Sequence, residues 1–412
     1  MWVGITAAAT NYDEENVGTY TLPNPLAKTD GGIVTSAKEW MEQRRPEILQ
    51  LFERHVYGRA PDRPQEMRFK IRNTDAKALE GLATRKEITV LFTGKEDGPG
   101  MDLLVYIPNE KTKPVPAFLG MNFYGNQTIS GDPGITISKR WARASKEMGI
   151  ENDRATESSR GKHASRWPVE MILKRGYAVV TVYYGDLEPD HNEGWKDGIR
   201  GYYLRQQGKA EFAPDDWGAI AAWAWGLSRA MDYLATDSDI DAKHVAVHGH
   251  SRLGKTALWA GAIDDRFSIV ISNDSGEGGA AIARRNFGET VADLNRAFPH
   301  WFCGAYKQYS ADPAKLPIDA HELIALAAPR FVYVASATED RWADPKGEFL
   351  AAKNAEPVFA LFGKEGLHAD SMPEADRPVG KSIGYHLRTG KHDITAYDWE
   401  QYLNFADRAF GR

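Results

Sequence analysis

Val245-Ala246-Val247-His248-Gly249-His250-Ser251-Arg252-Leu253-Gly254-Lys255-Thr256 is the stretch on which the fold turns. A short β-forming run ends in a glycine, Ser251 stands at the bend, and a helix-forming run follows through Ala262. Such a strand-to-helix turn holds a serine hydroxyl beside backbone N–H groups and the positive end of a helix dipole. Nucleophilic acyl transfer uses that arrangement. The same residues also satisfy G-x-x-x-x-G-K-[ST], from Gly249 to Thr256, the pattern of a phosphate-cradling loop. Ile269–Asp274 would then supply the later strand whose aspartate helps hold magnesium. The match to G-x-S-x-G is offset, because Gly254 follows Ser251 by three residues rather than two. Motif matching alone leans towards the nucleotide, and the rest of the chain has to decide.

With 412 residues and a hydrophobic fraction of 42%, the chain can bury a large core and fits one elaborated α/β domain. A net charge of −6 gives no reason to expect nucleic acid or an anionic membrane as partner. Twelve tryptophans and seventeen tyrosines exceed what a core requires, and sugar-binding clefts use such rings. The single cysteine, Cys303, excludes an intramolecular disulfide framework and any multi-cysteine metal site. No run approaches the length of a membrane span. Met1–Thr10 is mildly apolar without a basic leader region, so it is not read as an intact signal peptide.

Tyr12–Ile33 is rich in Pro, Gly, Asn and Thr and reads as an extended arm. Residues 1–35 are therefore set apart from a single domain over 36–412. Ser36 caps a helix running to about Tyr57. Strands are expected at about Met67–Arg72, Lys86–Phe92, Asp102–Ile107 and Pro114–Gly120, the last ending in the loop Met121–Asn126. The turn after this early strand is where an α/β-hydrolase draws an oxyanion-hole N–H. Gly131–Arg166 is a long irregular insertion of the kind that rims a site. A helix at Trp167–Arg175 and a strand at Tyr177–Tyr184 follow. Asp186, Glu188, Asp190, His191 and Glu193 meet no ligand spacing and read as a solvated loop. Trp217–Leu234 is a helix with Ala and Trp on its buried face. After Ser251, strands are expected at Phe267–Ser272, Arg330–Ser336 and about Ser382–Leu387. Strands alternating with helical patterns imply a mostly parallel sheet with helices on both faces.

A serine at this elbow needs a base and an orienting carboxylate, in the chain order Ser, acid, His, on loops at the C-terminal ends of strands. Among the downstream histidines, His386 falls inside the last strand and reads as packed. His392 follows Thr389-Gly390-Lys391 just past that strand and is the best-placed base. Asp340, after the strand Phe331–Ala335, is the favoured acid, with Asp274 as a second carboxylate in the site. The nucleotide reading fares worse here. Its loop interior, His-Ser-Arg-Leu, hinders close backbone approach to phosphates, and it gives no use for a histidine loop near the C-terminus.

Several stretches then match a known family. Gly249–Lys255, Asn286-Phe287-Gly288-Glu289-Thr290, Pro299-His300-Trp301-Phe302-Cys303, the Asp340–Pro345 run, Gly390-Lys391-His392 and His163–Pro168 together resemble carbohydrate esterase family 15, the glucuronoyl esterases, in its bacterial branch. The match runs from about Trp40 to the C-terminus. The resemblance implies an α/β-hydrolase fold, a three-layer sandwich, that cleaves esters between (4-O-methyl-)glucuronic acid of glucuronoxylan and lignin alcohols. It implies Ser251 as nucleophile and His392 as general base, then acid. Family members place the acid at either of two positions, matching Asp340 and Asp274, and this chain carries a carboxylate at both. Arg252 supplies the N–H after the serine and a guanidinium for the oxyanion. Without the family, it reads as a surface arginine paired with an acid. The resemblance assigns Lys255 and Glu289 to sugar hydroxyls and Trp342 to the uronate; alone, each reads as structural. It implies a secreted or periplasmic location; the expectation is also of no cofactor, no metal and a monomer. Histidine instead of cysteine before the serine, Leu253 in place of an asparagine, and too few cysteines for disulfides set this chain apart from fungal members. Other acyl esterases of the same fold, a non-catalytic carbohydrate-binding protein and, last, a nucleotide binder are the competing readings.

Overall fold

Successive residues of the central strands enter two separate apolar layers. In Ile240–His250, Val245 and Val247 join the larger core and Ala246 the smaller; in Val115–Asn122, Ala117 and Leu119 join the first and Phe118 the second. Strands covered on both faces need apolar residues at every position, which is why they read as unbroken hydrophobic runs. The computed structural model describes residues 10–412, so the reading of the chain's first nine residues lies outside it.

In chain order the strands are β1 (Arg68–Ala78), β2 (Ala83–Leu91), β3 (Gly100–Pro108), β4 (Val115–Asn122), β5 (Ile150–Glu151), β6 (Arg154–Ala155), β7 (Ala178–Tyr183), β8 (Ile240–His250), β9 (Ile269–Asn273), β10 (Phe331–Ala337), β11 (Val379–Gly380) and β12 (Ile383–Arg388). Ten of them form one sheet in the order β1-β2-β3-β7-β4-β8-β9-β10-β12-β11; β5 and β6 pair separately inside the 131–166 insertion. The strands β7, β4, β8, β9, β10 and β12 run parallel. Both margins are antiparallel: β1–β3 enter as a meander against β7, and β11 folds back on β12. The turn between β1 and β2, with Leu79 and Glu80 at positive φ, is far too short for the crossover that parallel strands need.

Helices cover both faces, as an α/β-hydrolase requires. The helical run from Ala37 to Tyr57, opened by Ser36 accepting a hydrogen bond from the Glu39 N–H, lies on the larger core with Ala219–Leu234, Arg252–Ile263 and Pro345–Asn354. Val169–Lys174 and Ala396–Phe410 close the other face. Helix Ala219–Leu234 is buried on every side rather than on one face. The segment after β7 lies over it, with the Trp223 indole donating to the Glu188 carbonyl at 3.0 Å and Leu187 packed where a side chain on Gly226 would sit. No helix among the described residues is long and apolar enough to cross a membrane.

The order β7-β4-β8 places two later strands on opposite sides of β4. Connections leave the sheet in opposite directions there, opening a crevice at the strands' C-terminal ends. The ends of β8, β9, β10 and β12 lie side by side along it.

Candidate active site

Ser251 takes φ 58° and ψ −131°, a conformation sparsely populated by residues other than glycine, and its N–H donates to the Asn273 carbonyl at 2.9 Å. Strain of this kind is held only where neighbours over-determine it. A β-carbon on Gly249 would lie 1.9 Å from the Leu253 carbonyl oxygen, so only glycine lets the turn close. Gly254 lies against the end of β9, where a β-carbon would meet the Ser275 side chain and the Asn273 and Gly249 carbonyls at 3.0–3.1 Å. The offset second glycine thus still serves close strand–helix approach. Helix Arg252–Ile263 starts at once, leaving no loop to wrap a phosphate. Thr256 bonds the Arg252 carbonyl of its own helix at 2.9 Å, and the Lys255 ammonium points into the protein. The nucleotide reading therefore has no cradle.

The loop after β12 is fastened to the loop after β10: the Gly390 N–H donates to Thr338 Oγ1 at 3.0 Å and the Glu339 N–H to the Gly390 carbonyl at 2.8 Å. Arg388 holds the same loop from inside through the carbonyls of Lys391 and Asp393, while pairing with Asp398. His392 Nδ1 lies 2.6 Å from Asp340 Oδ2. Its ring packs 4.4 Å from that of His250, centroid to centroid. Burial holds His250 well below the usual histidine range, so a neutral ring stands beside His392. No hydrogen bond joins the Ser251 hydroxyl to His392 among the described residues; catalytic pairs in substrate-free sites are often loose and tighten on binding. His386, expected to be packed, is fully buried and bonded to Asp398 at 2.8 Å.

Asp274, at φ 46°, is also buried. Its Oδ2 accepts the Asp393 N–H at 3.3 Å and faces Arg388 at 3.6 Å, and its Oδ1 has no partner among the described residues. Burial, then the nearby Glu348 and Asp340, push its carboxyl well above the ordinary range. Asp274, Asp340 and His392 bring one ligand atom each within 4.8 Å of one another, a spacing a metal could share. Two of the three already bond each other, and Asp274 is held by the Asp393 N–H and Arg388.

Arg252 lies across the mouth of the elbow. Trp301, Phe123 and Phe298 surround its guanidinium, with ring centroids at 5.0, 5.6 and 5.9 Å, and Nη1 donates to Asp190 Oδ2 at 2.8 Å. The loop after β4 is shaped by Asn122, whose side chain accepts the Gly125 N–H and donates to Asn126 and Thr181. On the other side of the cleft, Lys255 Nζ donates to the carbonyls of Ser275 and Glu277 at 2.5 and 2.6 Å and to Glu289 Oε2 at 3.1 Å. Glu289 Oε1 accepts the Trp342 indole N–H at 3.0 Å, and the Glu289 N–H donates to the Trp342 carbonyl at 2.8 Å. Trp342 is 39% exposed, a large ring standing open at the rim. Ser251, Arg252, Lys255, Asp274, Glu289, Asp340, Trp342 and His392, all singled out in the sequence, line one cleft of about 330 Å³. A larger groove of about 810 Å³ lies at Phe331, the opposite end of β10, so size alone points to the wrong place.

One sequence expectation is overturned. Asp186–Trp195 is not a solvated loop: Glu188 and Asp190 are buried, Glu188 pairing with Arg200 and Asp190 with Arg252. Burial would raise Asp190, but hydrogen bonds from His300 and Trp301 and the Arg252 charge hold it well below the usual carboxylate range. Asp190 and His300 were the residues missed. The only signal for His300 was its place in the Pro299–Cys303 run, and an aspartate in a polar segment gave none.

The family described as fungal glucuronyl esterases matches residues 169–363. A carbohydrate esterase from an unknown prokaryotic organism is 54% identical over 402 residues, covering 96% of this chain and 91% of that protein. The structure of a glucuronoyl esterase from Solibacter usitatus superposes with a TM-score of 0.92 at 52% identity, over 97% of this chain and 100% of that one. A promiscuous esterase of carbohydrate esterase family 15 from the marine bacterial metagenome gives 0.91 at 53% identity, again over 97% and 100%.

Proposed function

This chain belongs to carbohydrate esterase family 15, the glucuronoyl esterases, and we propose that Ser251, His392 and Asp340 carry out its hydrolysis. It is a serine-type carboxylic ester hydrolase acting on esters of glucuronic acid. The observation that carries the residue assignment is the 2.6 Å bond between His392 and Asp340, in the same cleft as a serine on a strained elbow.

The reaction follows from that arrangement. Ser251 Oγ attacks the ester carbonyl carbon while His392 takes its proton; Asp340 fixes the imidazole and offsets the charge it gains. The carbonyl oxygen becomes an oxyanion beside the Arg252 N–H at the helix start and the Arg252 guanidinium. The tetrahedral intermediate collapses, the bond to the alcohol oxygen breaks, and His392 protonates the departing alcohol. Water, deprotonated by His392, then attacks the acyl-enzyme, and Ser251 recovers its proton as glucuronate leaves. Asp274, pushed towards its protonated form, is a buried neighbour of the loop rather than the orienting anion.

The sugar end belongs with Glu289, Lys255 and Trp342. A carboxylate beside an ammonium suits hydroxyls, each of which donates and accepts. Two of the Lys255 donors are taken by the Ser275 and Glu277 carbonyls and the third goes to Glu289, so Lys255 fixes Glu289, and Glu289 and Trp342 are the groups that meet the sugar and its uronate. An ester of xylan-borne glucuronate with a lignin alcohol lies outside the cell, so the enzyme acts after export.

The test is hydrolysis of benzyl glucuronate beside a simple acetyl ester. The glucuronate ester should be preferred in kcat/KM. Trp342→Ala should erode that preference by about tenfold, roughly 1.4 kcal/mol, through KM. A preference for the acetyl ester would leave a hydrolase and remove the uronate pocket.

A further inference from the structure

Asp190 collects four side-chain donors from separate parts of the chain. Oδ1 accepts His300 Nε2 at 2.8 Å and Trp301 Nε1 at 2.7 Å; Oδ2 accepts Arg252 Nη1 at 2.8 Å and Tyr184 Oη at 3.1 Å. The carboxylate is itself fixed, since Arg143, from the long insertion, donates to the Asp190 carbonyl at 3.0 Å and His300 is held from its other nitrogen by Asn192. Arg252, by contrast, is a long side chain with 27% of its surface exposed in the cleft, where nothing but its neighbours selects one rotamer.

We infer that Asp190 is a positioning residue for Arg252, fixing the guanidinium where the oxyanion forms through a buried hub that joins Tyr184, His300 and Trp301. The inference rests on the reading of Arg252 as an oxyanion partner. Preorganised donors stabilise a developing charge because they do not reorient during the reaction. A guanidinium anchored at one nitrogen and enclosed by the rings of Trp301, Phe123 and Phe298 satisfies that condition. A mobile one would lose part of its advantage to reorganisation. Through Arg143 the hub also ties the 131–166 insertion to Arg252.

The role is separable from a purely structural one by a double-mutant cycle. With benzyl glucuronate, Asp190→Asn in the otherwise intact enzyme should lower kcat by about 10- to 100-fold, with KM within about twofold, since the contact matters only in the transition state. In an Arg252→Ala background the same change should cost less than about twofold, because the group it positions is gone. Trp301→Phe, which removes one donor to Asp190 and keeps an aromatic ring, should show a smaller loss with the same non-additivity. It carries the test if Asp190→Asn fails to give the native near-ultraviolet circular dichroism. Equal losses in both backgrounds, or an unchanged kcat in folded Asp190→Asn enzyme, would overturn the inference. An unchanged kcat in Arg252→Ala alone would instead remove the oxyanion reading on which it depends.

Discussion

Asp340 and Asp274 stand beside the same histidine, and their surroundings give them different tasks. Asp340 bonds His392 at 2.6 Å, whereas Asp274 meets a backbone N–H and is pushed by burial towards its protonated form. Asp340→Asn should therefore lower kcat by about 10³- to 10⁴-fold, as loss of a triad carboxylate does elsewhere. Asp274→Asn, which keeps the shape of a side chain that makes no hydrogen bond to His392 among the described residues, should cost less than about tenfold. Steady-state kinetics on benzyl glucuronate decide it, and the reverse order would make Asp274 the acid. Both positions were legible because each follows a strand, where site loops must lie. The choice between them was not, since it depends on which carboxylate the folded loops turn towards His392. Asp190 was hidden for a related reason: its partners Arg252, His300 and Trp301 lie far along the chain, and a short acidic run carries no mark of burial.

At the scale of elements, the segment before the first helix bears on the side of the cleft formed by Glu289 and Trp342. The Gly288 N–H donates to the Asn11 carbonyl at 2.9 Å, and Asn11 Nδ2 donates to the Asn286 carbonyl at 2.5 Å. Glu14 pairs with Arg285 and Lys346, both at 2.7 Å, and Arg341 both donates to the Tyr12 carbonyl and lies over its ring. These contacts brace the two segments that present Glu289 and Trp342. A chain beginning at Gly18 should show KM for benzyl glucuronate raised about threefold to tenfold with kcat nearly unchanged, because small displacements of binding groups are felt in affinity. An unaltered KM would limit this segment to a covering role. Composition marked Tyr12–Ile33 as irregular, but not which surface its start meets, because those contacts join residues more than 250 positions apart. Regular elements were easier. The strands that frame the elbow were legible as unbroken apolar runs, while the antiparallel arrangement of β1–β3 follows from short turns rather than from any pattern within the strands.

For the whole molecule, the price of a polar site inside a thick apolar fold falls on its buried acids. Burial pushes Glu277 and Glu348 up from 4.5 to about 8. Below about pH 4.5 both are protonated whether folded or unfolded, and they impose no pH dependence. Between about 4.5 and 8 the unfolded chain releases protons that the folded one keeps, so their contribution to stability falls with rising pH, by at most about 1.4 kcal/mol per unit for each group. Above about 8 it levels off. Glu277→Gln, which still offers Tyr306 an acceptor, should therefore gain stability relative to the unaltered protein as the pH is raised from 5 to 8. Denaturant unfolding at both pH values measures this, and a difference that shrinks with pH would contradict it.

The central claim is that Ser251, on its strained elbow, is the nucleophile for glucuronoyl ester hydrolysis. It is tested most directly by the kcat of Ser251→Ala on benzyl glucuronate, with the fold checked by circular dichroism. The expected result is a loss of about 10⁴- to 10⁶-fold, the residual rate coming from oxyanion stabilisation and binding alone. A folded variant that keeps more than about one per cent of the original kcat would mean that another group attacks the ester, and the assignment of the triad would be wrong.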